Sequence, residues 1–235
     1  MDTVDMPGED QTTVHETPSF AMLPAPVGRE PEFAQCLRDL IVLTGVQPPD
    51  EPSWCRPETL AREALRQVFN TRPAEPEWFE ALLRAAIHDP NPSSNRTFVK
   101  PMLAGYGLRR VQHALIERLA HGSSSERAGA ASAWYWARGL GFGDDDYTVM
   151  PQRPDDDRCA DLAVVWRHTA LRVFVTDPDL DARRSILPML PLAADAYPPE
   201  LHPLVDEAIR IARTSSDEYL RHRVEHQVGG CGSHG

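Results

Sequence analysis

Lysine is almost missing from this chain. Lys100 is the only lysine among 24 basic residues, and 35 acidic residues leave a formal charge of −11 over 235 residues. A nucleic-acid surface needs clustered lysine and arginine to displace counterions from phosphate, so this balance argues against DNA or RNA as a partner. It equally disfavours docking on anionic lipid. Long apolar runs are missing too: nothing approaches the roughly 18–20 residues of a membrane span. Met1 to Thr13 is acidic and polar, without the basic-then-apolar order of a signal peptide, and the chain reads as cytoplasmic. Cys36, Cys55, Cys159 and Cys231 form no C-x-x-C pair, which implies buried or incidental thiols in a reducing compartment and no disulfides. Strand-like alternation is also lacking, since the stretch around Tyr147-Thr148-Val149 is too short to count.

What the chain does have is a motif stated twice. Arg96-Thr97-Phe98-Val99-Lys100-Pro101-Met102-Leu103 returns as Arg183-Arg184-Ser185-Ile186-Leu187-Pro188-Met189-Leu190. Each copy follows an Asp-Pro turn, at Asp89-Pro90 and Asp177-Pro178, and fainter echoes open at Ser124 and Ser216. Self-similarity at spacings of about 30–50 residues is how stacked helical pairs appear in sequence.

Helical periodicity fills the rest. Residues 1–30 carry Asp2, Asp5, Glu9, Asp10 and Glu16 with few large apolar side chains, and read as a disordered acidic tail in which only Phe20-Ala21-Met22-Leu23 offers a docking stretch. From Pro31, Phe33, Leu37, Leu40, Ile41 and Thr44 share one face up to Gly45. Pro57 and Pro76 each start a further helix. Helices are expected near 94–104, 108–121, 124–139, 156–176 (Leu162, Val165, Trp166), 179–193, 200–213 and 216–228. Gly129, Ala130, Ala133 and Ala137 would let a neighbouring helix come close, and Pro101 and Pro188 are expected to kink equivalent helices. The last seven residues, 229–235, read as a flexible Gly-rich tail. The fold class is therefore all-α, an α-solenoid of stacked antiparallel helix pairs spanning 31–228, with an acidic loop insertion at 139–157.

At Asp177-Pro178-Asp179-Leu180-Asp181-Ala182-Arg183 the pattern becomes specific. An Asp in the turn, followed six residues later by an Arg opening the second helix of a pair, resembles the HEAT-repeat family. The resemblance covers roughly residues 85–228. It implies that Asp and Arg form a structural ladder between successive repeats, carried by Asp177 with Arg183, by Arg221 with Ser215 in the Asp position, by Arg96 with one extra residue, and more loosely by Arg127. The helices from 31 to 88 fit the architecture without the motif.

The insertion carries Asp144-Asp145-Asp146 and Asp155-Asp156-Asp157, but no Glu closes a calcium loop, and the second triplet sits where carboxylates favour a helix N-terminus. It reads as solvated, with Asp144, Asp145 and Asp146 as candidates for a partner contact. His222-Arg223-Val224-Glu225-His226 matches H-x-x-E-H, and Cys231 and His234 add two metal-ligand types. The downstream Glu ligand of an inverted zinc protease has no room in the nine residues after His226, so a capping helix is expected and no metal. Trp134 and Trp136 diverge by about 200° on a helix and cannot both face one core. One of them, exposed in a groove, is the candidate hot spot for a partner. Cys36 and Cys55 have no local support as nucleophiles.

These readings lead to a non-enzymatic interaction module with no cofactor, whose concave face holds an unidentified protein or peptide of basic or mixed charge. The alternative is an enzyme on the same scaffold, of the alkylpurine DNA glycosylase type, for which Trp134, Trp136, Trp166 and Asp161 supply aromatic and acidic residue types. The acidic charge counts against the DNA-tracking groove it requires.

The last repeat has no further neighbour, so Leu220 and Val224 must cover the stripe left by Leu204, Ala208 and Ile211. Leu220→Ala should therefore lower unfolding free energy by about 2–5 kcal/mol. His222→Ala combined with His226→Ala should change it little in chelator. Stoichiometric zinc in untagged protein, lost with a large fall in melting temperature in the double variant, would contradict the capping assignment.

Overall fold

The computed structural model describes residues 22–26, 28–49, 56–138, 141–142, 149–150 and 159–229. Ten α-helices run through them: α1 (Glu30–Thr44), α2 (Pro57–Thr71), α3 (Phe79–His88), α4 (Arg96–Tyr106), α5 (Leu108–His121), α6 (Ser124–Ala137), α7 (Ala160–Thr176), α8 (Leu180–Ile186), α9 (His202–Thr214) and α10 (Glu218–Gly229). Their ends follow local chemistry. Prolines stand in the first turns of α1, α2 and α9, where a missing N–H costs nothing. Gly45 closes α1 at φ 69°, a left-handed turn that side chains with a Cβ avoid. A reciprocal capping box between Ser123 and Glu126 opens α6.

The chain is an α-solenoid. Consecutive helices pair, α1 with α2 through to α9 with α10, and the pairs stack in sequence order. One layer contains the contacts α1–α3, α5–α7 and α7–α9, the other α2–α4, α4–α6, α6–α8 and α8–α10. Between the second and third pairs a diagonal contact, α3 against α6, is prominent. Its cause is Gly129: a Cβ there would lie 1.9 Å from the Ile87 carbonyl oxygen. Ala130, Ala133 and Ala137 of α6 are fully buried beside it. The apolar core runs continuously from Phe33 to Val224.

Two polar devices repeat along this stack. The first closes four of the five pairs, because the final carbonyls of a helix lack intrahelical donors. Arg72 donates to Thr44 O at 3.0 Å, Arg127 to Ala120 O at 3.3 Å, Arg183 to Phe174 O at 3.1 Å and Arg221 to Ser215 O at 2.6 Å. The second joins one pair to the next. Arg62 of α2 donates to Asp89 at 2.7 Å, Arg127 of α6 to Asp177 at 2.8 Å, and Arg184 of α8 to Asp217. The carboxylates also organise their own turns: Asp89 accepts the Asn91 amide and Asp177 the Asp179 amide.

The Asp–Arg ladder thus differs in detail from the expected one. Arg183 clasps its own pair, and its neighbour Arg184 crosses to the next. Ser215 does stand in the Asp position, since its hydroxyl accepts the Asp217 amide at 3.1 Å. Being uncharged, it leaves the rung to Asp217, two residues on, and the matching arginine lies one residue on from Arg183. Burial opposes ionisation of Asp177 and Asp217, but arginine, amide and, at Asp177, hydroxyl donors outweigh it and hold both below the usual carboxylate range. At Asp89 burial wins, with Arg62 and the Asn91 amide too few to compensate, and the pKa is pushed up to about 6.

Several expectations need correction. Pro101 and Pro188 do not act alike. α4 continues through Pro101 to Tyr106, whereas α8 stops at Ile186 and gives way to a 3-10 turn, Leu187–Met189. The expected helix to residue 193 fails because Pro191 offers no amide and drives Leu190 extended, at φ −93° and ψ 111°. Val165, expected inward, is 46% exposed. Within the insertion, Gly141–Phe142 pairs antiparallel with Val149–Met150, the only strand pairing among the described residues. Arg29, within the segment read as a tail, is buried and ion-paired with Asp181 of α8. Residues 1–21, 143–148 (with Asp144, Asp145 and Asp146), 151–158 and 230–235 lie outside the described residues, as do Cys55, Cys231 and His234.

A glycine-to-alanine change inside a helix usually stabilises by about 0.5–1 kcal/mol. Gly129→Ala should do the reverse and destabilise by about 1–3 kcal/mol or more, because the obstructing atom is backbone and cannot swing away. Chemical denaturation of the variant checks this; a gain in stability would contradict the α3–α6 contact.

Candidate functional site

Of the paired tryptophans, α6 turns one inward and one outward. Trp134 is 3% exposed and stacks on Trp166 of α7, ring centroids 4.2 Å apart and planes 2° from parallel. It belongs to the core and is withdrawn as a partner contact. Trp136 is half-buried on the opposite side and donates its indole N–H to Pro92 O at 3.1 Å. The Arg96 guanidinium lies 5.7 Å from the centre of its ring, and Tyr135 meets it edge to face at 4.9 Å.

These side chains wall a groove on the face made by α4, α6 and α8. One end is a cavity of about 420 Å³, bounded by Pro92, Arg96, Tyr135, Trp136, Pro188 and Met189. Three local events build it. The small residues Ala131 and Ser132 line it and leave room between the larger walls. The early end of α8 places Pro188 and Met189 in its wall, and Arg138 reaches the Met189 sulfur at 3.7 Å. The turn between α5 and α6 holds Ser123 where other turns hold Asp, so no Asp rung forms there, and Arg96 turns to Trp136. Arg96 was expected in the ladder.

A further wall component comes from far away in sequence. Leu23, in the non-helical segment Met22–Pro26, lines the same cavity. That segment leads to Arg29, tied to Asp181, so the chain before α1 reaches across to α8. The docking stretch read at Phe20–Leu23 has its described end here; Phe20 and Ala21 lie outside the described residues.

The groove continues between α2 and α4 as a second cavity of about 350 Å³ with different chemistry. Arg66, Phe69, Ser93, Arg96, Lys100 and Pro101 line it, and Ser93 and Arg96 belong to both cavities. The chain's single lysine therefore stands with two arginines on one wall, and no carboxylate is among the described residues lining it. Glu63, nearby, is bonded to Arg66 at 2.8 Å.

Other candidates do not gather with this groove. Asp161 is exposed on α7 and bonded to Arg109 at 3.0 Å, while Trp166 is core, so Trp134, Trp136, Trp166 and Asp161 form no common site. Cys36 is buried, and burial pushes its thiol up, away from the reactive thiolate. On α10, Leu220 and Val224 are fully buried, His222 is half-buried and His226 exposed. Among the described residues no group of three or more His, Cys, Asp or Glu is placed to hold a metal ion, and no helix is long and apolar enough to cross a membrane. Periodicity alone missed Tyr135, Met189 and the Arg66–Lys100 pairing; nothing short of the helix stacking places them together. Comparison of the chain with protein-family models, with curated proteins and with solved structures gives no match.

Trp134→Ala should cost about 3–5 kcal/mol of unfolding free energy, as for other buried aromatics. Trp136→Ala should cost well under that and leave a cooperative fold. Equal losses in denaturant melts would contradict this division of roles.

Proposed function

We propose that the chain is a HEAT-like, non-enzymatic interaction module of the cytoplasm that holds a linear segment of a partner protein in the groove across α2, α4, α6 and α8. The observation carrying this reading is Leu23. A non-helical piece of chain, remote in sequence, already lies at the groove wall beside a half-buried tryptophan and a methionine. Half-exposed Trp and Tyr in a concave apolar site are the residue types that dominate binding energy at interfaces. The Asp–Arg rungs at Asp89, Asp177 and Asp217 support the HEAT-like assignment, because they join successive pairs as the resemblance implies. Trp134 and Trp166 are buried against each other and Asp161 is paired with Arg109 at the surface, which favours binding over base excision.

Panning a random peptide-display library against the full chain tests this. Retained peptides should bind Trp136→Ala and Met189→Asp at least about tenfold more weakly, roughly the effect of removing one hot-spot contact. Peptides that bind all three proteins equally would place the site elsewhere. Release of an alkylated base from duplex DNA by the full chain would move the reading to the enzymatic alternative.

A further inference from the structure

Resting on that reading, we propose that residues 22–26 are a built-in pseudo-ligand of the groove: they cover its α6–α8 cavity, and the partner segment that displaces them is an uncharged stretch in which an aliphatic side chain is followed by proline. In Leu23-Pro24-Ala25-Pro26 every second residue is proline. Proline holds its own φ at about −65° and drives the residue before it extended, so the sequence sets this stretch in a polyproline-like shape with no internal hydrogen bonds. Such a shape repeats every three residues or so. Exposure follows that period. Met22, 87% exposed, and Ala25 face solvent, whereas Leu23, Pro24 and Pro26 are half-buried. One edge of the segment is turned outward and the rest lies against the body.

The body receives it with matching chemistry. Leu23 lines the cavity walled by Tyr135, Trp136, Pro188 and Met189. Aromatic-lined grooves suit proline-containing segments, because a preformed segment loses little entropy on docking. The attachment at the other end is different in kind. Arg29 is buried and ion-paired with Asp181, one helical turn ahead of Ser185, which also lines the cavity. Between anchor and strap stands Gly28 at φ 84°, a conformation glycine tolerates, with no atom within 4 Å of where a Cβ would lie. Among the described residues no backbone hydrogen bond ties 22–26 to the body, so side chains alone hold the strap. It can leave the cavity by turning at Gly28 while Arg29 stays in place. A tether this short gives Leu23 an effective concentration on the order of millimolar, which lowers the apparent affinity of any competitor added in solution.

A fluorescent synthetic peptide with the sequence Phe20-Ala21-Met22-Leu23-Pro24-Ala25-Pro26 is the probe, titrated by anisotropy into full-length proteins. Leu23→Asp in the full chain removes the tethered competitor, since a lone carboxylate does not enter an apolar cavity. This variant should bind the peptide at least about tenfold tighter than the unmodified chain. Adding Trp136→Ala to Leu23→Asp should reverse most of that gain. Met189→Asp is the second groove variant, and melting curves confirm that each protein is folded. A peptide with glycine in place of both prolines should bind Leu23→Asp about tenfold more weakly, because it starts less ordered. Equal affinity for the unmodified chain and Leu23→Asp, lost from both with Trp136→Ala, would overturn the self-occlusion while leaving the groove as the binding site. Undiminished binding of the glycine peptide would overturn the proline requirement. No binding to Leu23→Asp at millimolar peptide would overturn the aliphatic–proline occupant, and display-library peptides that need Trp136 would still uphold the groove. Binding indifferent to both Trp136→Ala and Met189→Asp would overturn the groove itself.

Discussion

Three of the four joints in this stack depend on carboxylates held at the turns between helices. A pair of helices cannot bury its apolar faces alone, and the order of pairs is maintained where each touches the next. At three junctions an arginine from one pair ends on an aspartate at the turn of the following one, and the aspartate, 0–8% exposed in its side chain, simultaneously accepts a backbone amide of its own turn or of the helix that follows. Turn shape and inter-pair register are thus one interaction. Hydrogen bonds to charged groups contribute about 1.5–3 kcal/mol each, and a buried carboxylate deprived of its arginine would be left with its desolvation cost. Asp89, already pushed up to about 6 by burial, is the rung closest to that limit.

The junction without an Asp rung is where the groove lies. Between the second and third pairs the turn offers Ser123 in place of Asp, and close packing of Gly129 on Ile87, with Arg118 of α5 paired to Glu80 of α3, takes the place of the Asp rung. Arg96, the residue that matches Arg127 and Arg183 by motif, packs over Trp136 instead. Structural and candidate functional roles therefore fall on equivalent positions of the same repeat, separated by what the neighbouring turn supplies. A similar economy operates at α8. Pro188 matches Pro101, yet only the additional Pro191 ends the helix and leaves Pro188 and Met189 on the groove wall.

Net charge is a poor guide to such a surface. A total of −11 is an average over exposed helix faces, whereas a binding segment meets only the side chains on one wall. Arg66 and Lys100 stand on separate helices, α2 and α4, and become neighbours only because those helices stack. The same holds for Arg29, ahead of α1, and Asp181 of α8, which are remote from each other along the chain.

The helices and the repeating turns were legible as local patterns, although α8 is shorter than its periodicity implied. Periodicity of 3.6 residues, proline at first turns, Gly45 at a left-handed cap and the Asp-Pro turns are all local signals, so the span from Phe33 to Val224 was legible as a solenoid core. The H-x-x-E-H stretch was legible as a packing helix for the same reason, since Leu220 and Val224 share a face and are buried. Tertiary structure alone decided which of Trp134 and Trp136 turns inward, that Arg184 and not Arg183 crosses to the next pair, and that the segment before α1 reaches α8. Each of those outcomes depends on what lies opposite a residue across a helix interface. A one-dimensional pattern records spacing along one helix and carries no information on which helix will face it.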